Sequence, residues 1–239
     1  MFRETKIRSI AKTISWRFWA TMTTVALVFL FVGQTTVALS VGGLEVVLKL
    51  ILYFVHERMW NRIKFGKHEI KPFVVWLTGL PGAGKSTIGN ELTSLLSKDD
   101  IKVEHLDGES IRHIFPDVGY TAHDIDFHVN RVGYLASKLE QHGIFVIASF
   151  MSPYAASRTF VRNLCSNFVE VYVSTPLEVC EKRDPKGLYS RARRGEIKNM
   201  TGVDAPYEVP QSPDIVVDGS QVDPSTAARQ IYEHLVQYL

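Results

Sequence analysis

The sequence is poor in cysteine, with only Cys165 and Cys180 among its 239 residues. Two cysteines are too few for a disulfide framework or a thiolate metal site, so we expect both to be buried apolar residues in a reducing compartment. An excess of one charge is also missing, because 27 basic and 25 acidic residues leave a formal net charge of +2. Bulk charge therefore gives no reason to expect nucleic-acid binding. Without repeats or low-complexity tracts, a chain of this length predicts one α/β domain with a short appendage.

Charge is absent from one long stretch near the beginning of the chain, from Phe18 to Leu44. About 20 predominantly apolar residues are enough for a helix to cross a bilayer. A polar break at residues 33–36 predicts a turn, and a second apolar run follows it. The sequence thus predicts a hairpin domain of residues 1–66, whose two membrane helices, at about residues 16–36 and 37–58, contact lipid.

Two charged residues, Glu45 and Lys49, lie within the second apolar run. Their spacing places them on one helical face, where they can form a salt bridge toward a partner helix. A transport or proton-relay role is the alternative, and a single pair gives it little support. The second helix could also lie in the membrane interface instead of spanning the bilayer.

Both flanks of the hairpin are basic. The residues concerned are Arg3, Lys6, Arg8, Lys12 and Arg17 before the first helix, and Arg58, Arg62, Lys64 and Lys67 after the second. The positive-inside rule then predicts an inner (cytoplasmic) membrane protein with both termini and the following domain in the cytoplasm. The second apolar run argues against a cleaved signal peptide.

The rest of the chain alternates apolar runs with stretches of helical length. The predicted strands are Phe73–Thr78, Val103–Leu106, Ile144–Phe150, Val169–Ser174 and Asp214–Val217. The predicted helices are Ser86–Leu96, His123–His142, Tyr154–Cys165, Leu177–Arg183 and Pro224–Tyr238. Alternation of this kind predicts a five-stranded parallel sheet with helices on both faces, in an α/β domain of the P-loop NTPase type that covers residues 72–239.

A phosphate-binding loop (P-loop) is the strongest local signal, because Gly79–Thr87 fits the pattern G-x-x-x-x-G-K-[ST] between a strand and a helix. Glycines allow backbone N–H groups to turn toward phosphate oxygens, and the helix N-terminus adds partial positive charge. Lys85 is expected to reach the β- and γ-phosphates of ATP, and the Ser86 hydroxyl to hold Mg²⁺. The predicted ATP-binding residues of this loop are Gly79, Gly82, Gly84, Lys85, Ser86 and Thr87.

A carboxylate, Asp107, ends the second predicted strand. The carboxyl ends of parallel strands face the ligand crevice, so Asp107 is a candidate to accept a proton from an attacking hydroxyl or to help organise Mg²⁺. Its position is equally suitable for capping the helix that follows.

A basic segment runs from Arg183 to Lys198 and contains six cations against two acidic residues. Cations in a mobile segment can close over transferring phosphates as a lid. A solvated helix face has the same composition, and both interpretations stay open at this point.

Together these segments resemble the adenylylsulfate kinase family, which phosphorylates the ribose 3′-hydroxyl of adenylyl sulfate (APS) to give PAPS. The resemblance rests on five segments that begin at Gly79, Asp107, Phe150, Thr175 and Arg183, the last reading R-D-P-K-G-L-Y-S-R-A-R-R-G-E-I-K-N-M-T-G-V-D-A-P-Y-E. It implies an ATP- and Mg²⁺-dependent kinase that acts on a small nucleotide and is often a homodimer.

The resemblance also implies roles for individual residues. Asp107 would be the catalytic base beside Lys85, and Ser152 matches a serine that is phosphorylated in some members. Capping of a helix is the alternative role for Ser152. The substrate-binding residues implied are Arg112, Tyr120 and Arg131, with Tyr120 at the position of an aromatic ring that stacks on adenine. Arg183 and Lys186, at the start of the lid, would contact ATP.

Departures from the family pattern are concentrated in the acceptor half of the site. Ile125 replaces an Arg and His128 an Asn at substrate-contacting positions, while Asn130 and Ala155 each replace a further Arg. Since Ile cannot replace a guanidinium, another small nucleotide, such as a cytidine-based one, is an alternative acceptor. A membrane-tethered, non-catalytic nucleotide-binding module is the second alternative.

The sequence supports two further expectations, one for the segment 123–128 and one for the N-terminal segments. The acidic residues and histidines of the segment 123–128 fit a solvated helix face better than a metal cluster. The N-terminal segments Arg8–Arg17 and Gly42–Lys49 resemble a small two-helix membrane domain of unknown function.

Overall fold

The computed structural model describes residues 2–4, 6–31, 35–63, 65, 67–69, 71–99, 101–115 and 119–236. For residues 2–4, 67–69 and parts of the first two helices it describes the backbone alone. The chain divides into two compact units, residues 1–70 and 71–239. The predictions at Gly33, Gln34 and Lys64, and for the side chain of Glu45, lie outside the described residues.

The first unit is a helical hairpin closed by a small sheet. Its elements are β1 (Phe2–Glu4), α1 (Lys6–Phe31), α2 (Thr35–Arg62) and β2 (Lys67–Glu69). Strands β1 and β2 pair in antiparallel orientation. Both helices are longer than the sequence predicts, since α1 includes the basic flank and Thr35 and Thr36 already belong to α2, where a turn was expected.

Polar contacts hold α1 against α2. Arg8 is fully buried and donates hydrogen bonds to three carbonyl oxygens at the end of α2, those of Trp60, Ile63 and Phe65. Further along, Lys12 pairs with Glu57 at 3.3 Å, and Ser15 Oγ lies 2.7 Å from Nε2 of His56. Arg8 therefore satisfies carbonyls that the helix end leaves without an intrahelical donor.

Large apolar side chains remain exposed on both helices of this unit. On α1 they include Ile7, Ile10, Ile14, Phe18, Trp19 and Met22, and on α2 Val47, Leu50, Ile51, Phe54, Val55 and Met59. No helix within the described ranges is both long and apolar enough to cross a membrane. The prediction of two helices is thus supported, and the prediction that they cross a bilayer is not.

The second unit is an α/β domain around one parallel sheet. Its strands are β3 (Val74–Thr78), β4 (Val103–Asp107), β5 (Phe145–Ser149), β6 (Phe168–Val173) and β7 (Ile215–Val217). Its helices are α3 (Lys85–Lys98), α4 (Gly108–Ile114), α5 (Ala122–Gln141), α6 (Ala155–Leu164), α7 (Leu177–Arg183), α8 (Leu188–Arg193) and α9 (Pro224–Val236). The strand order is β4-β5-β3-β6-β7 and all pairs are parallel, which confirms the predicted sheet.

The middle strands form the core of this domain. Every residue of β3 and of β5 is buried, as the continuous apolar runs predict. The Trp76 ring stacks on Phe150 and Phe168, with centroids 5.6 and 6.2 Å away. Of the cysteines, Cys180 is buried and Cys165 is partly exposed. Packing of these buried side chains fixes the register of the strands. Because neighbouring strands are parallel, their carboxyl ends meet along one edge of the sheet.

Candidate active site

The P-loop connects β3 to α3 and depends on glycine for its backbone path. Gly84 precedes α3 with a φ of 106°, a conformation that side-chain-bearing residues rarely adopt. At Gly79 a Cβ would lie 2.5 Å from the carbonyl oxygen of Val173, closer than any real contact. The predicted glycines are therefore required by geometry at the position where phosphate would bind.

Lys85 begins α3 and is folded back onto the loop that precedes it. Its Nζ donates hydrogen bonds to the carbonyl oxygens of Gly79 and Leu80, at 2.9 and 2.8 Å. The side chain is only 9% exposed, and burial lowers the pKa of Lys85 to about 8. The ammonium group is thus held inside the loop, where anionic phosphates would compensate the cost of burying its charge.

Asp107 ends β4 and meets the first turn of α3. Its carboxylate accepts hydrogen bonds from the Ser86 hydroxyl and, at 3.0 Å, from the backbone N–H of Glu109. The capping interpretation is therefore correct, because Asp107 is the N-cap of α4. Burial raises the pKa of Asp107, but the hydrogen bonds lower it by more, so its pKa lies below the ordinary value.

The Ser86–Asp107 contact also provides the oxygen ligands that a Mg²⁺–nucleotide complex requires. Mg²⁺ usually takes one or two protein oxygens and completes its shell with phosphates and water. Among the described residues, no group of three or more His, Cys, Asp or Glu could hold a metal ion by itself. The donor set therefore suits a metal that arrives with the nucleotide.

A cavity of about 1210 Å³ opens over the P-loop. Its lining includes Lys85, Ser86, Asp107 and Arg183, together with the segment 219–224. Arg183 joins two of its walls, since its guanidinium donates to the carbonyl oxygens of Gly219 at 2.6 Å and of Ala83 at 3.4 Å. All of the predicted ATP-binding residues except Gly79 thus line one space large enough for a nucleotide.

A second cavity of about 590 Å³ adjoins the first. It is lined by Arg112, Phe115, Tyr120, Ile125, His128, Phe150 and Ser152, among others. Glu109 and Lys186 line both cavities and form an ion pair between them. The two cavities therefore share a boundary, to which Pro81 and Leu188 also contribute.

Two of the three predicted substrate-binding residues, Arg112 and Arg131, lie over aromatic rings, and the third, Tyr120, is the ring that Arg112 contacts. The Arg112 guanidinium lies 4.4 Å from the centroid of Tyr120, and that of Arg131 lies 4.0 Å from the centroid of Phe127 and 5.5 Å from that of Phe115. Arg112 and Tyr120 line the second cavity directly, whereas Arg131 borders it through Phe115. Cation–π contacts of this kind attract both guanidinium groups to these rings.

The departures Ile125 and His128 both lie on the buried face of α5. Ile125 belongs to the apolar core, and His128 is only 3% exposed, with no hydrogen-bond partner for either ring nitrogen within the described ranges. Burial, followed by the charges of Arg112 and Arg131, lowers the pKa of His128 to about 4. The expected solvated face is therefore wrong for His128.

Nearby, Asp124 caps its own helix in a reciprocal capping box with Thr121. Asn130 donates a long hydrogen bond to Asp126 at 3.4 Å. Ala155 contributes its backbone N–H, which donates to Glu208 at 2.7 Å. None of these three contacts resembles metal coordination; the first two are local to α5, and the third joins the start of α6 to a residue distant in the sequence.

Ser152 is buried below the second cavity. Its hydroxyl accepts from Trp76 Nε1 and donates to the Thr78 hydroxyl, both at 2.9 Å, and its φ is 35°. The expectation that Ser152 caps a helix is wrong, because Tyr154 precedes α6. The hydroxyl is thus occupied within the protein.

The basic segment contains α8 and several ion pairs. Arg193 pairs with Glu181, and Arg191 and Arg194 both approach Glu196. Tyr189 is buried and donates a hydrogen bond to the Pro81 carbonyl oxygen at 2.9 Å. Part of the segment is therefore a solvated helix face, while Tyr189 and Lys186 turn toward the P-loop side.

The sequence alone assigned no role to three polar residues of the site. Thr175 donates to the Ala83 carbonyl oxygen at 2.9 Å and so supports the P-loop from the end of β6. His105 lies 2.9 Å from both Asn90 and Ser149, beneath the first turns of α3. Glu109 holds Lys186. For Thr175, its place directly after a predicted buried strand was a usable signal.

Comparison with known proteins agrees with this geometry. A model of the adenylylsulphate kinase family matches residues 71–218, and one of a predicted membrane protein family, DUF2061, matches residues 10–61. The adenylyl-sulfate kinase of Halothermothrix orenii is 43% identical over 166 residues, which are 69% of this chain and 90% of that protein. The probable adenylyl-sulfate kinase of Bacillus subtilis is 42% identical, over 72% of this chain and 89% of that protein.

Comparison with a solved structure supports the same family. The APS kinase of Mycobacterium tuberculosis, in complex with AMPPNP and APS, is 34% identical with a TM-score of 0.67, over 71% of this chain and 99% of that one. Similarity to these kinases argues against the alternative of a non-catalytic nucleotide-binding module. The chain therefore belongs to the adenylylsulphate kinase family and is an ATP-dependent kinase with an α/β P-loop fold around a parallel sheet.

Proposed function

We propose that this kinase transfers the γ-phosphoryl group of MgATP to the ribose 3′-hydroxyl of APS, giving PAPS and ADP. One observation carries the proposal: Asp107 stands in contact with Ser86 of the P-loop, close to the boundary of two adjoining cavities. One cavity suits ATP and the other an acceptor nucleotide. The relative from Mycobacterium tuberculosis holds AMPPNP and APS together, which supports two nucleotides in one site.

The chemistry follows from the positions of the charged groups. The P-loop amides and Lys85 hold the β- and γ-phosphates and neutralise charge as it develops. Ser86 and Asp107 would supply oxygen ligands for Mg²⁺, and the bound ion would shield the phosphate charge. As the acceptor 3′-oxygen bonds to the γ-phosphorus, the bond to the β–γ bridging oxygen breaks and ADP leaves. Asp107, ionised at neutral pH, accepts the proton of the 3′-hydroxyl.

The remaining site residues position the two nucleotides. Gly79, Gly82, Gly84 and Thr87 shape the loop around the phosphates, with Arg183 at its side. Lys186 leaves Glu109 to contact phosphate when both substrates are bound. Arg112 and Arg131 attract the anionic part of the acceptor, and Tyr120 stacks on its base. Ser152 supports the floor of the acceptor cavity from below.

The proposal is tested by measuring ADP release from MgATP with APS as acceptor, next to a panel of cytidine and other nucleotides. Turnover with APS at micromolar concentration, abolished by Lys85→Ala, is the expected result. No ADP release with APS, together with turnover of another nucleotide, would show that the acceptor is a nucleotide other than APS. Full activity of Lys85→Ala would contradict the P-loop assignment.

A different small nucleotide is the second candidate acceptor, and one observation favours it. Ile125 is packed into the core and offers no hydrogen bond, at a position where the family pattern has an Arg. An acceptor with less negative charge than APS would need fewer guanidinium groups. The panel above decides between these candidates.

We further propose that residues 1–66 attach the enzyme to the inner membrane through residues 16–58, with the kinase domain, residues 72–239, and both termini in the cytoplasm. Support comes from the match to a predicted membrane protein family and from the exposed apolar side chains of α1 and α2. Flotation of the full chain with phospholipid vesicles is the test. Protein that stays at the bottom of the gradient at every lipid concentration would refute the attachment.

Self-association is the last element of the proposal, with a homodimer as the expected state. A relative from Thiobacillus denitrificans, 28% identical with a TM-score of 0.55, is a hexameric APS kinase. Light scattering of the detergent-solubilised chain measures the mass directly. A mass of one chain at micromolar concentration would contradict the homodimer.

A further inference from the structure

His128 is the buried polar side chain of the second cavity that the proposed chemistry leaves without a role. It lines that cavity from α5, and among the residues that the structure describes neither of its ring nitrogens has a hydrogen-bond partner. A buried polar group without a partner is costly to a fold, and native structures usually provide one. The imidazole therefore carries hydrogen-bonding capacity that no described residue of the chain uses.

The surroundings of His128 select the kind of group that it can bind. Its ring stands edge-on to two aromatic rings, with centroids 6.3 Å from Phe115 and 5.9 Å from Phe150. Flat apolar walls of this kind suit a heterocyclic base better than a hydrated phosphate. Arg112 and Arg131, the neighbouring cations, are better donors for an anionic group than a neutral imidazole.

The charge state of His128 determines which hydrogen bonds its ring can form. Since its pKa is lowered to about 4, the ring is neutral at physiological pH. A neutral imidazole has one N–H donor and one acceptor nitrogen, the same pair of functions as a side-chain amide. His128 can therefore replace, in kind, the Asn that the family pattern has at this position.

We propose that His128 determines which acceptor base the enzyme prefers, by forming a hydrogen bond from its ring to the heterocyclic base of the acceptor nucleotide. The inference rests on the proposed function, because it assumes that the second cavity holds the acceptor. Both ring nitrogens are shielded from solvent in the structure. Contact with a base therefore requires a neighbouring side chain to move, and Phe115, which contacts the imidazole, lines the same cavity and is 36% exposed, is the candidate.

Two matched variants test the role of His128. His128→Phe keeps an aromatic ring, somewhat larger than imidazole, but removes both hydrogen-bonding functions, whereas His128→Asn keeps one donor and one acceptor. We expect His128→Phe to raise the KM for APS about tenfold, the effect of one hydrogen bond, with the KM for ATP unchanged. His128→Asn should stay within about threefold of the wild type. The preference for APS over its guanosine analogue should fall about tenfold in His128→Phe alone.

Other outcomes overturn the inference. An unchanged KM for APS in His128→Phe would show that the ring makes no contact with the acceptor. Equal rises in the KM for ATP and for APS, or an equal loss in both variants, would assign His128 a structural role.

Direct binding separates this inference from the proposed function. If the wild type turns over no nucleotide, the proposed function fails, and calorimetric titration of APS into the ADP-bound enzyme still decides on His128. Tenfold weaker binding to His128→Phe than to the wild type would support the inference. Equal binding to both proteins, or no binding to either, would overturn it.

Discussion

Replacing Asp107 by Asn separates catalysis by this residue from its structural role. Asp107 has two roles in the structure, because its carboxylate caps α4 through the N–H of Glu109 and accepts from Ser86. Asn is as good an N-cap as Asp, so the change should cost less than about 0.5 kcal/mol of stability. The proton acceptor is lost, however, and kcat should fall by about 10²- to 10⁴-fold.

The matched control is Asp107→Ala, which removes both functions. Its kcat should fall as far as that of Asp107→Asn, and loss of the cap should lower its stability by an additional ~0.5–2 kcal/mol. Steady-state ADP release gives kcat, and urea unfolding gives stability. If Asp107→Asn retains more than a third of the wild-type kcat while Ser86 remains intact, the assignment of Asp107 as the base is refuted.

Three further predictions concern the P-loop and α5. Because the pKa of Lys85 is lowered to about 8, its charged form is lost as pH rises through that value. We therefore expect kcat/KM for ATP to fall above pH 8. A pH profile that stays flat to pH 10 would contradict this prediction. Since folding lowers the pKa of His128 to about 4, the wild type should lose stability relative to His128→Asn as pH falls from about 6.5 to 4, which thermal melts at several pH values would measure. Gly79→Ala should lose ~1–3 kcal/mol and bind ATP poorly, because its Cβ would meet the Val173 carbonyl; an unaltered melting temperature would oppose this.

The sequence predicts the sheet well because its middle strands, β3 and β5, are buried throughout. Val74–Thr78 and Phe145–Ser149 are continuous apolar runs, and each predicted strand agrees with the structure within a residue or two at either end. The P-loop and Asp107 are predictable for a related reason, since their roles depend on short local patterns at the carboxyl ends of strands.

Short or capped helices were harder to predict. Helix α4 has only seven residues and follows β4 without a linker, so no apolar period develops within it. In the first unit, α1 begins at Lys6 because Arg8 is buried against the end of α2, and this contact between residues distant in the sequence leaves no local signal. Contacts of this kind decide helix ends more than propensity does.

The burial of His128 was predictable, and the pattern for it was present. Ile125, Val129 and Val132 surround it at helical spacing on the buried face of α5. The charged neighbours Asp124 and Asp126 suggested solvent instead. What the sequence could not show is the absence of a partner for the imidazole, since that depends on which side chains from α4 and β5 face it.

The central claim, transfer of phosphate to the 3′-hydroxyl of APS, is tested most directly by following the γ-phosphate itself. The full-length enzyme is incubated with APS and ATP labelled at the γ-phosphorus, and the products are separated and their labelled phosphate located by NMR. The account predicts label on the 3′-oxygen of PAPS in an amount equal to the ADP formed. Label found only in inorganic phosphate, or on another position of the nucleotide, would contradict it.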